Sequence, residues 1–282
     1  MDNLLNIIAL AAIAVVVFLV VGFAGFKVPA PLRWPAGKPT ASLSTLPPDF
    51  DLPPLAKKWL FQGSDRAENP STLVAWGRGK IVSQLPIFGR TWLPLSWTLY
   101  LIPGENFIIQ NRITWFGRRF IRGGEEYRDG KGSFVLGSKS SEYKYLDETQ
   151  RALVWFYSIW LAPASLVAMD TVSLKDNGEG GLCLMVHQNQ RSLLQFNLDF
   201  DSTTGLLQRI SGTRKGSRTG GDYPYIASLS QPKNFGEAGK IPTRYIANWD
   251  NDMYIKFELA GIALNQDVSE AMQTGVEELP PL

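Results

Sequence analysis

The sequence predicts a mainly β protein: a strongly curved antiparallel sheet, or half-barrel, with a helix in its concave face and one transmembrane helix before it. Three observations predict this architecture. The first residues form a long apolar segment. Beyond a proline-rich stretch, apolar and polar residues alternate along most of the chain, which is typical of strands with one buried face. Near the middle, one segment has the apolar spacing of a helix instead.

The apolar segment covers residues 4–26 and is interrupted only by Asn6. As a helix it would extend about 34 Å, which is enough to cross a hydrocarbon core of about 30 Å. The segment starts without Lys or Arg and is longer than the core of a signal peptide. No clear small-residue cleavage site follows it. We therefore predict an uncleaved single-pass anchor over residues 1–27.

The charges beside the anchor bear on its orientation. Lys27, Arg33 and Lys38 follow the apolar segment, whereas Asp2 precedes it. Read literally, the positive-inside rule places the following domain in the cytoplasm. Long domains, however, cross membranes largely regardless of flanking charge, and large β-rich domains behind one N-terminal anchor often face outward in bacteria. We expect an extracytoplasmic domain, and the charge rule stands against it.

Residues 28–54 are rich in proline, which blocks regular pairing and favours extended backbone, so they are predicted to form a semi-rigid stalk. A short helix is expected at 55–61. The stalk is followed by the half-barrel domain, predicted over 55–270, and by a C-terminal tail over 271–282.

The strands are predicted from alternation with a period of two. Leu194, Phe196 and Leu198 alternate with polar neighbours, and the turn at 201–205 leads into a partner strand at 206–212. Similar alternation predicts strands at 91–102, 107–115, 119–127, 132–136, 141–146, 182–187 and 253–259. About ten strands with short connections favour antiparallel pairing.

One segment departs from this pattern. Asp147 followed by Gln150 resembles a helix start with an N-cap, and Phe156 and Trp160 lie on one helical stripe. Pro163 ends the helix or kinks it. Because the helix is apolar over most of its circumference, it must be covered on most sides. The concave face of a curved sheet is the geometry that covers it.

Composition excludes several kinds of function. With 45% hydrophobic and 12% aromatic residues, the chain can form a packed core, and a net charge of +2 gives no field for nucleic acid. The single Cys183 cannot form an internal disulfide, and with a single His187 there is no plausible Cys/His zinc site. We expect no metal, no cofactor and no nucleic-acid partner.

Four segments carry a resemblance to known proteins: PLSWTLYLIPG at 94–104, RITWFG at 112–117, GEEYRDGKG at 124–132, and IPTR at 241–244 with Trp249. Together they resemble an uncharacterised family of bacterial single-pass membrane proteins, known as a domain of unknown function. None of these motifs is a catalytic signature. The sheet-plus-helix plan is also similar to the half-barrel of bacterial lipoprotein carriers. That resemblance implies an apolar concavity for acyl chains, although fold alone does not determine function.

Aromatic side chains are the first group of candidate ligand-binding residues. Trp97, Tyr100, Trp115, Trp155 and Trp160 could line an apolar cavity. Ordinary core packing is the alternative explanation for the same side chains. Both hold together if the core of the half-barrel opens at one end.

Charged side chains are the second group. Arg112 and Arg122 could bind lipid headgroups through their guanidinium forks, or belong to an ordinary mixed surface with the nearby carboxylates. Glu125 and Asp129 could form a carboxylate pair for acid–base work. The alternative is a hairpin turn with solvated charges, because glycine follows Asp129 directly.

Three functions stay open. The expected one is a membrane-anchored, non-catalytic binding module for a lipid or another apolar ligand, with no catalytic residue and no metal ligand. The second is an accessory or scaffolding subunit of a membrane protein complex, with a fully packed sheet core. The third is a hydrolase that uses Glu125 or Asp129. The expected partners are the lipid bilayer, an apolar ligand and subunits of a membrane complex. The candidate ligand-binding residues are Trp97, Tyr100, Arg112, Trp115, Arg122, Glu125, Trp155 and Trp160.

Overall fold

The computed structural model describes residues 2–32, 35, 44–46, 51–61, 67–85, 89–137, 139–140, 143–188 and 191–278. Helix α1 spans Asp2–Gly25, and helix α2 spans Pro54–Phe61. Between them lies the short strand β1 (Ser44–Leu46), which pairs antiparallel with β2 (Ala67–Asn69). The helix expected at 55–61 is therefore present. Part of the predicted stalk lies outside the described residues.

In the described part of the chain, thirteen strands pair into one antiparallel sheet. In chain order they are β3 (Leu73–Leu85), β4 (Gly89–Ile102), β5 (Asn106–Trp115), β6 (Arg118–Arg128), β7 (Lys131–Leu136), β8 (Lys139–Ser140), β9 (Val172–Asp176), β10 (Gly181–Gln188), β11 (Arg191–Phe200), β12 (Leu207–Lys215), β13 (Asp222–Asn234), β14 (Lys240–Trp249) and β15 (Asp252–Leu264). Across the sheet the order is β8-β7-β6-β5-β4-β3-β15-β14-β13-β12-β11-β10-β9. Over the described residues the edge strands β8 and β9 do not pair with each other, so the sheet is not closed.

Hairpin connections alternate between the two ends of the strands, which gives the sheet two rims. The rim that carries the turns at 116–117, 216–221 and 250–251 is called the anchor rim here, because the end of α1 contacts it. The opposite rim carries the turns at 201–206 and 235–239 and is called the far rim.

Helices α3 (Leu146–Leu161) and α4 (Pro163–Val167) occupy the concave face of the sheet. Every residue of α3 from Ala152 onward is buried. Phe156 packs on Tyr225 with ring centroids 4.3 Å apart, and Trp160 packs on Tyr245 at 4.7 Å. The predicted half-barrel with a helix in its concave face is confirmed, and the helix itself fills most of the concavity.

Two predicted details at the start of this helix are wrong. Asp147 is not the N-cap: that position is Tyr145, two residues earlier, and α3 begins at Leu146. Asp147 Oδ1 instead accepts a hydrogen bond of 2.7 Å from the backbone N–H of Gly132. A Cβ at Gly132 would lie 2.6 Å from the carbonyl oxygen of Leu146, so glycine allows β7 to approach the helix. The strand predicted at 141–146 is instead a turn over 143–145 followed by α3, and its first two residues lie outside the described residues.

The outer face of the sheet is partly covered by α5 (Ser269–Glu278). Its residues Ala271 and Val276 pack with Ile108 and Val135 in a small cluster separate from the main core. The segment predicted as a tail therefore begins inside a helix that is packed on β5 and β7. The predicted limits at 1–27, 28–54, 55–270 and 271–282 stay predictions.

Candidate functional site

The eight predicted ligand-binding residues do not lie together, and the tryptophans among them mostly belong to the core. Trp97, Trp155 and Trp160 are all buried in the main hydrophobic cluster. The indole Nε1 of Trp97 donates to the carbonyl of Arg78 at 2.8 Å, and that of Trp160 donates to the carbonyl of Pro242 at 2.8 Å. These side chains are thus packed in the core, and their contact with a ligand stays a prediction.

Tyr100, Arg112 and Arg122 lie on the outer face of the sheet rather than in the concavity. Tyr100 packs against the small cluster that contains Ile108 and Ala271. Burial raises the pKa of its phenol, and the guanidinium of Arg112 opposes this rise. Arg112 is buried, donates to Gln110 Oε1 at 3.4 Å and stands opposite Arg122 in the β5–β6 register. These residues are separated from the concave face by the sheet itself.

Trp115 lies at a third place, the tip of the β5–β6 hairpin on the anchor rim. Its side chain is partly exposed, and its Nε1 donates to the carbonyl of Gly22 in α1 at 2.8 Å. It therefore lies outside the core and contacts the N-terminal helix.

Glu125 lies in the concave face, in a buried ion pair that the sequence did not indicate. Its Oε2 is 3.2 Å from Nη2 of Arg214, and the two side chains are 11% and 3% exposed. Arg214 also donates to Tyr254 Oη at 3.1 Å and to the carbonyl of Thr149 in α3 at 3.2 Å. Its guanidinium stacks over the Trp249 ring at 4.3 Å. We call this group the polar cluster.

Tyrosines extend the polar cluster into the core. The hydroxyl of Tyr225 shares hydrogen bonds with those of Tyr245 (3.0 Å) and Tyr254 (2.9 Å). Burial raises the pKa of each of these phenols well above the ordinary value. Burial by itself lowers the pKa of Arg214, but the neighbouring phenols and Glu125 raise it above its usual range. The cluster thus holds neutral phenols around a charged guanidinium and joins β12 to β6 across the concavity.

The carboxylate pair considered for a hydrolase is not assembled. Glu125 is ion-paired to Arg214 and buried, whereas Asp129 is exposed in the β6–β7 turn, where its backbone N–H donates to Asn106 Oδ1 at 3.1 Å. Four residues of strand separate two side chains by about 13 Å, which is too far for the two carboxyl groups to share a proton. These two residues therefore form no acid–base pair in this structure.

A cavity of about 720 Å³ lies at the far rim, beside the C-terminal end of α3. Its walls come from α2, β2, the α3–α4 junction and the turns that precede β12 and β14. The apolar walls include Trp59, Leu60, Trp160, Leu161 and Ile241. Of the eight predicted residues, all within the described part of the chain, Trp160 alone lines it.

Charged side chains also line this cavity. Lys58 and Lys240 are exposed on its lining, and Nζ of Lys58 donates to the carbonyl of Thr203 at 3.2 Å. Glu68 also lines it, and its buried Oε2 has no hydrogen-bond partner among the described residues. A lining that combines aromatic and aliphatic side chains with charged ones suits a molecule that has an apolar body and a polar end.

The sequence could not indicate this cavity because its walls come from widely separated segments. The only local signal is the short amphipathic helix α2, with Trp59 and Leu60 buried and Lys58 exposed. Among the described residues, no group of three or more His, Cys, Asp or Glu side chains is placed to hold a metal ion.

No family model matches the chain, and no curated protein matches it. Among solved structures, it is similar to a LolA superfamily protein from Nitrosomonas europaea, with 11% identity over 72% of this chain and 90% of that one and a TM-score of 0.42. It is similar to a putative outer membrane lipoprotein-sorting protein domain from Vibrio parahaemolyticus, with 7% identity, coverage of 72% and 89%, and a TM-score of 0.41. A DUF1329 family protein from Desulfovibrio piger is 9% identical, with coverage of 72% and 89% and a TM-score of 0.40. These similarities concern the fold alone, and membership of a bacterial single-pass membrane family stays a prediction.

Proposed function

We propose that this chain is a membrane-anchored, non-catalytic binding protein that takes a lipid or another apolar molecule into the cavity at the far rim. The observation that carries the proposal is the cavity itself, whose volume of about 720 Å³ lies within the range of small-molecule sites. Its apolar walls would contact the body of the ligand, and Lys58 and Lys240 would face a polar end.

The cavity is a better place for a ligand than the concave face of the sheet. Helix α3 already fills that face, and Phe156, Trp160 and Tyr157 contact rings on the surrounding strands. A ligand in the concavity would have to displace these side chains, and removing such a ring from a packed core costs about 3–5 kcal/mol. The cavity beside α2 requires no such displacement.

The anchorage is proposed from helix α1. The segment Asn6–Gly25 is long and apolar enough to cross a membrane, and the rest of the protein buries only its last turn, which contacts the β5–β6 hairpin. It lies near the N-terminus, where a signal sequence would meet the same criteria. A helix with apolar side chains all round and almost no protein cover is stable in hydrocarbon rather than in water.

We place the domain on the extracytoplasmic side, because long domains cross membranes largely regardless of the charges beside the anchor. Lys27 follows the span directly and favours the opposite side. Protease added to spheroplasts that express the chain should digest the domain. Protection until the membrane is lysed would place it in the cytoplasm.

Native mass spectrometry of the full chain, extracted in mild detergent, tests the binding function. The wild-type protein should retain a discrete additional mass in the lipid range. Ala238 lines the cavity, so Ala238→Trp should fill part of it and lose that mass. Ala168→Trp, at the exposed end of α4 outside the lining, should keep it. A wild-type protein that carries no additional mass would contradict the proposal.

A scaffolding function is the second candidate, and the packing of α3 favours it. The main core is continuous from α3 to the surrounding strands. In that case the chain extracted in mild detergent would co-purify with other membrane-complex subunits rather than with a small molecule. The same spectra distinguish the two functions by the mass of whatever stays bound.

A further inference from the structure

The tip of the β5–β6 hairpin exposes large aromatic side chains that belong to none of the buried clusters formed by the described residues. Trp115 is 39% exposed, Phe116 is 43% exposed and Phe120 is 55% exposed. Arg118 and Arg119 lie between them and are also not buried. We call residues 115–120 the hairpin tip. Three aromatic rings and two guanidinium groups within six residues form an unusual surface for a domain that contacts water only.

The backbone of the turn reinforces this observation. Phe116 has φ of 49° and Gly117 has φ of 71°, so both central residues are in the left-handed region. Asn, Asp and Gly are the residues that favour such turns, and a bulky side chain there is strained. The chain thus holds a phenylalanine at the apex in a conformation that local stability disfavours. Strain of this kind, seen at a defined position, points to a function for the side chain.

The hairpin tip is joined to the last turn of α1. Trp115 Nε1 donates to the carbonyl of Gly22 at 2.8 Å, and the backbone N–H of Phe116 donates to the carbonyl of Gly25 at 2.9 Å. A Cβ at Gly25 would lie 2.2 Å from Trp115 Nε1, so the absence of a side chain permits this approach. Phe26 packs edge-on against Phe120 with centroids 6.0 Å apart. The tip and the end of the helix therefore form one unit.

We infer that the hairpin tip is seated in the interface of a phospholipid bilayer and holds the domain at a fixed orientation to that bilayer. Because Gly22 and Gly25 belong to the last turn of the apolar span, a bilayer that surrounds the span has its surface at the level of the tip. Tryptophan and other amphipathic rings favour this depth, and arginines beside them attract lipid phosphates.

Seating of the hairpin tip would also orient the cavity. The tip lies on the anchor rim, whereas the cavity is lined by the turns of the opposite rim. A domain seated by its hairpin tip would therefore present the cavity away from the bilayer that holds it. The inference rests on the proposed membrane anchorage but not on the occupancy of the cavity.

Site-specific fluorescence tests the seating. The full chain, in a Cys183→Ser background, carries the environment-sensitive dye NBD on a cysteine introduced by Phe120→Cys. It is reconstituted into nanodiscs of phosphatidylcholine and phosphatidylglycerol. Matched variants carry the dye at Ile13→Cys, in the middle of α1, and at Glu179→Cys, in the exposed β9–β10 turn of the far rim.

The expected result is a blue-shifted emission at positions 120 and 13 that lipid-attached nitroxides quench, with a water-like, unquenched emission at position 179. A water-like emission at 120 together with a lipid-like emission at 13 would overturn the seating and leave the anchorage intact. A water-like emission at both positions would overturn the anchorage, and the seating with it.

Discussion

The two ends of helix α3 lie in different surroundings, although the same helix runs through one continuous core. Near its N-terminal end, Thr149 belongs to a buried polar cluster in which Arg214 and Glu125 join opposite parts of the sheet. About 17 Å further along the helix, Trp160 and Leu161 border an open cavity. At one end of α3 an ion pair connects opposite parts of the sheet, and at the other end there is room for a ligand.

The difference shows how one part of a half-barrel can be held rigidly while another part has room for a ligand. A buried ion pair is tolerated only if its geometry and its further hydrogen bonds are satisfied, so we expect the polar cluster to hold β6 and β12 in one fixed arrangement. The cavity end relies on apolar contacts, such as that of Trp59 with Phe200 at 5.3 Å, which do not require one fixed geometry. Binding is therefore expected at the apolar end only.

The largest expected effect comes from breaking the polar cluster. Arg214→Met leaves the Glu125 carboxylate buried without its partner, so the free energy of unfolding should fall by about 3–5 kcal/mol. Urea unfolding of the protein in detergent, followed by tryptophan fluorescence, measures this change. The double variant Arg214→Met with Glu125→Met should recover a large part of the loss. A single variant that loses less than about 1 kcal/mol would show that the pair does not fix the sheet.

Alkaline pH should also lower the stability of the fold, because several buried tyrosines surround the polar cluster. Burial raises the pKa of Tyr157, Tyr225, Tyr245 and Tyr254 in the folded protein. Below pH 10 both the folded and the unfolded protein keep these phenolic protons, so the four tyrosines do not make the free energy of unfolding depend on pH. As pH rises above 10, the unfolded chain releases protons that the folded protein retains, and stability falls by about 1 kcal/mol per tyrosine and pH unit.

Urea midpoints between pH 8 and pH 11 measure this dependence. Tyr245→Phe removes one of the titrating groups and should make the decline shallower. Stability that stays constant across this range would mean that the phenols are not buried together.

The smallest expected effect on stability lies at the cavity end. Lys58→Ala removes an exposed charge, so the free energy of unfolding should change by no more than about 0.5 kcal/mol. The same variant should retain less of any ligand that has an anionic end, since Lys58 lines the cavity. Lys233→Ala, an exposed lysine of β13 outside the lining, is the control. If both variants retain the same amount of ligand, Lys58 does not contribute to the site.

The sequence could predict the sheet and α3 because each has a local period. Alternation with a period of two marks strands such as β11 and β15, and the apolar circumference around Phe156 marks a covered helix. The pairing of Glu125 with Arg214 has no local signal, since the two residues lie on β6 and β12 and meet only when the sheet curves. The cavity depends in the same way on segments that are distant in the chain. Trp97 and Trp155 were ambiguous because core packing and ligand contact demand the same apolar surface.

Cross-linking with palmitate that carries a diazirine tests most directly which end of α3 binds an apolar ligand. The full chain in mild detergent is irradiated with this probe, and the modified peptides are identified by mass spectrometry. We expect adducts in α2 and in the segment 234–242, and we expect Ala238→Trp but not Ala168→Trp to lose them. Adducts confined to α1, or found around the polar cluster instead of the cavity, would contradict it.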